Sequence, residues 1–137
     1  MTEAVIDTNV LVSAALTPQG ASGEVVDLVL AGEICPVLDD RIVAEYADVL
    51  TRSRLGFPQT LVAAMLDALE TAGRHALAVR THVTLPDESD RCFFECALAC
   101  ASRFLVTGNK KHFPGAAPAG IILLSPRELL ERLRDRE

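Results

Sequence analysis

Val5-Ile6-Asp7-Thr8-Asn9-Val10-Leu11-Val12 is the stretch on which the reading of this chain turns. A short apolar run stops at an acid, two polar residues make a turn, and apolar residues resume. That is the pattern of a buried strand that ends in a carboxylate and turns into further buried structure. Working outward, Pro18 to Gly23 is a loop, and Ser22 is placed to cap a helix through Val25, Val26, Leu28, Val29 and Leu30 that stops at Gly32. Ile34 to Leu38 reads as a second strand, with Pro36 arguing for an edge. Asp39 or Asp40 then caps a helix whose apolar positions Ile42, Val43, Tyr46, Val49 and Leu50 recur at spacings of three and four.

Beyond the break at Gly56-Phe57-Pro58, a helix carries Leu61, Val62, Met65, Leu66 and Leu69, and the alternation from Leu77 to Val83 predicts a strand. The acidic loop Leu85-Pro86-Asp87-Glu88-Ser89-Asp90 leads into a helix over Phe93 to Ala101. Phe104 to Thr107 is a short strand ended by Gly108-Asn109, Ile121 to Leu124 is another, and Pro126 opens the last helix, where its missing N–H costs nothing. Strands that alternate with helices imply an α/β fold with a mostly parallel sheet covered on both faces. The length of 137 residues fits one domain spanning 1–137, with no repeat or linker.

Composition sets limits on function. Half the residues are apolar and 4% aromatic, so Leu, Val, Ile and Ala are expected to build the core. No uninterrupted apolar run approaches the roughly 18 residues of a membrane span, and the start lacks a basic region followed by an apolar run, so a cytoplasmic location is expected. Cys92, Cys96 and Cys100 fall four apart, with Cys35 distant; that stripe suits buried thiols on a helix better than a zinc site. The net charge of −6 disfavours phosphate contacts overall, leaving Arg52, Arg54, Lys110, Lys111 and His112 as the cations available to them.

In open parallel sheets, function gathers beyond the carboxyl ends of the strands. Asp7 and Asn109 both lie there, Glu45 projects from the second predicted helix, and Asp87, Glu88 and Asp90 sit where a loop starts a helix. Carboxylates brought together repel unless cations neutralise them, and Mg²⁺ or Mn²⁺ is the oxygen-seeking ion they suit. Each residue also has a plainer role open to it. Asp90 is placed to cap its helix, Glu45 to pair with Arg41 one turn earlier, and Thr8 and Asn9 to bond the turn.

Four segments in register resemble the PIN-domain nucleases: Val-Ile-Asp7-Thr8-Asn9-Val-Leu-Val-Ser-Ala, Ala-Glu45-Tyr-Ala-Asp-Val-Leu, Leu-Pro-Asp87-Glu-Ser-Asp90 with Phe-Phe-Glu-Cys-Ala-Leu-Ala, and Arg-Phe-Leu-Val-Thr107-Gly108-Asn109. The chain is most similar to the VapC-like toxins of toxin–antitoxin pairs. The resemblance implies a three-layer α/β/α domain with a sheet of about five strands. It also implies a Mg²⁺- or Mn²⁺-dependent endoribonuclease that forms homodimers and is inhibited by an antitoxin protein. Asp7, Glu45 and Asp90 match the catalytic, metal-holding acids, and Asp87 an extra acid of that loop. Asn109 stands where many PIN domains carry Asp; its amide oxygen can ligate a hard cation but brings no charge. Thr8 and Thr107 are expected to orient a carboxylate or contact phosphate, and Arg52, Lys110 and Lys111 to position the RNA backbone.

Three other readings were weighed. A phosphatase with a nucleophilic Asp7 wants a second acid two residues on, where Asn9 stands. A phosphate-receiving signalling domain wants an acidic pair after the first strand, which supplies only Asp7. An inactive PIN-like scaffold that binds RNA or a partner is the strongest non-enzyme alternative, although all three matching acids are present.

Overall fold

The computed structural model describes residues 1–136. Five parallel strands, β1 (Thr2–Ile6), β2 (Ile34–Leu38), β3 (Arg74–His75), β4 (Phe104–Val106) and β5 (Ile122–Leu124), form one sheet in the order β3-β2-β1-β4-β5. Every residue of β2 and β4 is buried, as strands covered on both faces must be. The helices are α1 (Thr8–Leu16), α2 (Ala21–Leu30), α3 (Asp40–Leu50), α4 (Gln59–Ala72), α5 (Arg91–Leu98) and α6 (Pro126–Arg134). Helix α5 packs across β1, β2 and β4, while α2 packs on β2 with α1, α4 and α6 around it.

From β1 the chain builds outward to β2 and β3, then returns to place β4 on the other side of β1. The order therefore reverses between β1 and β4, and a crevice opens there beyond the carboxyl ends. Asp7 and Thr107 follow directly from these two strands.

Local signals account for most element ends. Asp39, not Asp40, caps α3, its carboxylate accepting from the Ile42 amide at 3.0 Å. Ser125 and Glu128 form a reciprocal capping box at α6 with Pro126 at its first position. Pro36 fits inside β2 because β3 pairs only with Val37 and Leu38, so at Pro36 that side of β2 is locally an edge. Cys35, Cys92, Cys96 and Cys100 are buried and unpaired, and burial pushes the Cys92 and Cys96 thiols up to about 12.

Three expectations are corrected. Ser22 does not cap α2; the cap position falls two residues earlier, at Gly20, and Ser22 is buried within the helix. Leu77 to Val83 is not a strand. The sheet ends at the two-residue β3, and this segment is held instead by α5: the Val79 amide donates to the Glu95 carbonyl, the Thr81 amide to Glu95 Oε2, and Arg91 to the Thr81 and Val83 carbonyls. Its apolar alternation does not even select the inward face, since Leu77 is 94% exposed while Ala76 and Ala78 are partly covered. The helix expected over Phe93 to Ala101 runs instead over Arg91–Leu98, and the mostly aliphatic core takes in Tyr46, Phe93, Phe94, Phe104 and Phe113 as well.

Gly23 marks the tightest approach around α2. A Cβ there would stand 1.9 Å from the Pro18 carbonyl oxygen, closer than any contact can be. Gly-to-Ala inside a helix ordinarily gains about 1 kcal/mol. Here Gly23→Ala is expected to lose about 2 kcal/mol or more, because loop backbone must shift. Urea unfolding of the two proteins checks the sign.

Candidate active site

The site grows from the β1–β4 pairing. Ile6 stands beside Val106 in register, and the ladder continues one step as the Asp7 amide donates to the Val106 carbonyl at 2.9 Å. Thr107 Oγ1 therefore reaches Asp7 and donates to its Oδ2 at 2.8 Å. Asp7 occupies the N-cap position of α1 but makes no cap hydrogen bond with its side chain. Asn9 closes the turn: its amide donates weakly to Thr107 Oγ1 at 3.5 Å, and its oxygen accepts from the Gly108 amide at 3.1 Å.

Asp90 ends a single 3-10 turn, Glu88–Asp90, that runs into α5. Asp87 caps that turn, accepting from the Ser89 amide and hydroxyl at 2.9 and 2.8 Å, which holds its carboxyl below the usual range. Asp90 itself caps nothing, and its Oδ2 is buried without a hydrogen-bond partner. Glu45 sits on α3 beside Tyr46, whose hydroxyl donates to the Ile6 carbonyl at 2.5 Å and whose ring packs near Phe93, centroids 6.0 Å apart. Tyr46 thus ties α3 to the residue preceding Asp7.

Electrostatics link these acids. Burial pushes the Asp7 carboxyl up against the opposing pull of the Thr107 hydroxyl. Burial, reinforced by the charge of Asp7 and then by Asp87 and Glu45, raises Asp90 to about 6. Burial also raises Glu45, with Asp48, Asp87 and Asp7 adding to it and Arg52 opposing. Among the described residues, no three His, Cys, Asp or Glu side chains already close around a common point. A PIN domain model matches residues 3–111, a span that contains all of these acids.

The chain belongs to the PIN domain family. No curated protein and no solved structure matches it. PIN domains are generally nucleases that act on RNA and use divalent metal ions. The residues of this PIN domain fit such an ion on their own chemistry. Asp90 Oδ2 is a buried carboxylate oxygen with no hydrogen bond, the His112 ring standing 3.4 Å away, beside a second buried acid, and such oxygens are costly to leave unbonded.

Other expected residues take different places. Thr8 is buried with its hydroxyl unpartnered and bonds neither a carboxylate nor the turn. Arg41 does not pair with Glu45: it reaches Asp39 at 2.9 Å and, across to α5, Glu95 at 2.8 Å. Arg52 pairs with Asp48 and Lys110 with Glu128, while Lys111 is exposed. Asn109 turns its Nδ2 toward His112 Nε2 at 2.9 Å rather than into the cluster. The roles of Tyr46 and Glu95 were not legible in sequence, where each looked like an ordinary helix position.

A pH prediction follows from the raised Asp90 carboxyl. In the unfolded chain it ionises near 3.8, and in the folded protein at about 6. The folded state holds its proton more tightly, so this group's contribution to stability is complete below about 4 and is lost as pH rises through about 6. In metal-free protein, Asp90→Asn is expected to melt with wild type near pH 4 and to be the more stable at pH 7, on the order of 1 kcal/mol. Melting curves across that range, with chelator present, measure the gap.

Proposed function

We propose that this PIN domain is a Mg²⁺- or Mn²⁺-dependent endoribonuclease and the toxin of a toxin–antitoxin pair. The observation that carries the catalytic part is the bare, buried Asp90 Oδ2 next to buried Asp7, with burial holding both carboxyls above their ordinary range. Asp7, Glu45 and Asp90 would hold the ion. Asp87 at the rim and Asn109, through its amide oxygen, would assist. When bound, the ion supplies Lewis-acid chemistry to a phosphodiester and its attacking water.

The chain's own residues do the rest. Thr107 fixes the orientation of the Asp7 carboxylate, whereas the Thr8 hydroxyl is buried away from any phosphate. A cleft lined by Asn9, Ser13, Ser22, Gly108, Ser125 and Arg127 opens beside Asp7, polar enough for an RNA backbone and with Arg127 as its cation. Arg52, Lys110 and Lys111 are the further candidates for backbone contact, the first two after release from Asp48 and Glu128. An apolar groove between α1, α2 and α4, lined in part by Leu11, Val26, Leu30, Leu61 and Met65, supports a protein partner, either antitoxin or a second copy. Four unpaired cysteines fit the reducing cytoplasm. Among the described residues, no helix is long and apolar enough to cross a membrane.

The second reading is a scaffold that binds RNA or protein without cutting. The open spacing of the acids and the engagement of Asn109 with His112 are the observations in its favour.

Incubating pure protein with mixed RNA, with Mg²⁺, Mn²⁺ or chelator, separates the two readings. Metal-dependent cleavage is expected, falling on the order of 100-fold or more in Asp7→Asn. Cleavage indifferent to chelator removes the metal, and none with any ion favours the scaffold. For the biological role, induced expression in a bacterium is expected to arrest growth, and the small protein encoded beside it to restore growth. Normal growth despite abundant RNA-cleaving protein would end the toxin assignment.

A further inference from the structure

The loop after β4 joins the two buried acids by a continuous chain of polar contacts. At one end, Thr107 Oγ1 donates to Asp7 Oδ2 at 2.8 Å and accepts from the Asn109 amide at 3.0 Å. Asn109 then presents its side-chain Nδ2 to His112 Nε2 at 2.9 Å. On the far side of the ring, His112 Nδ1 lies 3.4 Å from Asp90 Oδ2, the atom that has no hydrogen bond of its own. The 3-10 turn Lys110–His112 makes this possible: the His112 amide donates to the Asn109 carbonyl and folds the ring back over the asparagine.

The chemistry of the asparagine fixes the state of the ring. An amide NH₂ only donates, so Nε2 must accept and the ring proton of neutral His112 must sit on Nδ1, facing Asp90. An aspartate at position 109 has no such donor and would draw the proton to Nε2 instead. The asparagine is therefore intelligible as a donor that sets a tautomer.

We propose that His112 is a positioning residue that orients the Asp90 carboxylate for a divalent cation, with Asn109 holding its ring in the Nδ1–H form. The ring approaches the carboxylate at Oδ2, so a donor on Nδ1 would fix the rotation of the group and leave its remaining lone pairs for an ion. This inference rests on the metal-dependent reading of the site. It adds a residue outside the acids and gives Asn109 a task beyond ligation.

Two measurements test it. In metal-free wild-type protein near pH 8, ¹⁵N NMR of the three histidine rings, assigned with His112→Gln, is expected to show His112 as Nδ1–H. Asn109→Ala is expected to shift it toward Nε2–H. A mainly Nε2–H ring in wild type overturns the proposal without any variant. Mn²⁺ affinity followed by electron paramagnetic resonance is expected to fall 10- to 100-fold in His112→Ala. It should stay within a few-fold in His112→Gln, which keeps a donor. Asp90→Asn is the reference. If it binds Mn²⁺ as wild type does, the metal reading of the site fails. If it loses Mn²⁺ while His112→Ala does not, only the role of His112 fails.

Discussion

The arrangement at the carboxyl end of the sheet depends on the parallel pairing of β1 with β4. These strands are adjacent in space and separated by about a hundred residues in sequence, so no local preference brings Asp7 to Thr107. The register does. With Ile6 opposite Val106, the next residue on each strand emerges at the same height, and a hydroxyl meets a carboxylate. A slip of one residue would turn every side chain of β4 to the other face and leave Asp7 buried without its donor. The burial of Val5, Ile6, Leu105 and Val106 makes such a slip prohibitive.

Two acids, Asp90 just before α5 and Glu95 in its middle, show how differently the protein treats buried charge. Glu95 is 5% exposed and fully occupied, with Arg41 on one oxygen and the Thr81 amide on the other. Asp90 is 8% exposed and its Oδ2 has no hydrogen bond. Removing water from a carboxylate is costly unless donors or a cation replace it. Glu95 receives both from within the chain and fastens α3 and the 77–83 segment to α5. Asp90 has no hydrogen bond to Oδ2, with the His112 ring at 3.4 Å, and burial together with the charge of Asp7 raises its carboxyl. One is built for stability and the other is held at a cost.

Sequence carried the architecture well, because strand and helix periods follow from burial on one or both faces. The alternation of elements gave a parallel sheet, Pro126 the start of α6, and the four-residue cysteine spacing a buried stripe. Failures came where contacts are non-local. The alternation at Leu77–Val83 looks like a strand, but a strand exists only beside another, and β3 ends at His75. Arg41 had Glu45 in reach by helical spacing, yet its side chain extends to Glu95 on a different helix. His112 is three residues past Asn109 and 22 past Asp90, and nothing in sequence links it to that acid; only the fold of the 3-10 turn does. Asp7 stood out because a charge at the end of an apolar strand has no ordinary structural use, whereas Glu45 and Asp90 had plainer helix and cap roles open to them and stood out only through the resemblance.

The open spacing of the acids is what electrostatics requires of a metal-free chain. Three carboxylates in contact without a cation would raise one another's pKa until protons took the ion's place; here burial raises all three, and neighbouring acids add to the rise at Glu45 and Asp90. The three are not equally free to respond. Asp7 is fixed by Thr107, and the backbone of Asp90 is fixed by its turn and α5. Glu45 is on the surface of α3, and only its neighbour Tyr46 is anchored to β1. Of the three, Glu45 is therefore the one free to respond by side-chain rotation, whose loss of freedom costs at most about 2 kcal/mol. Mutual repulsion in the metal-free protein is lower while that arm stands apart from the fixed pair.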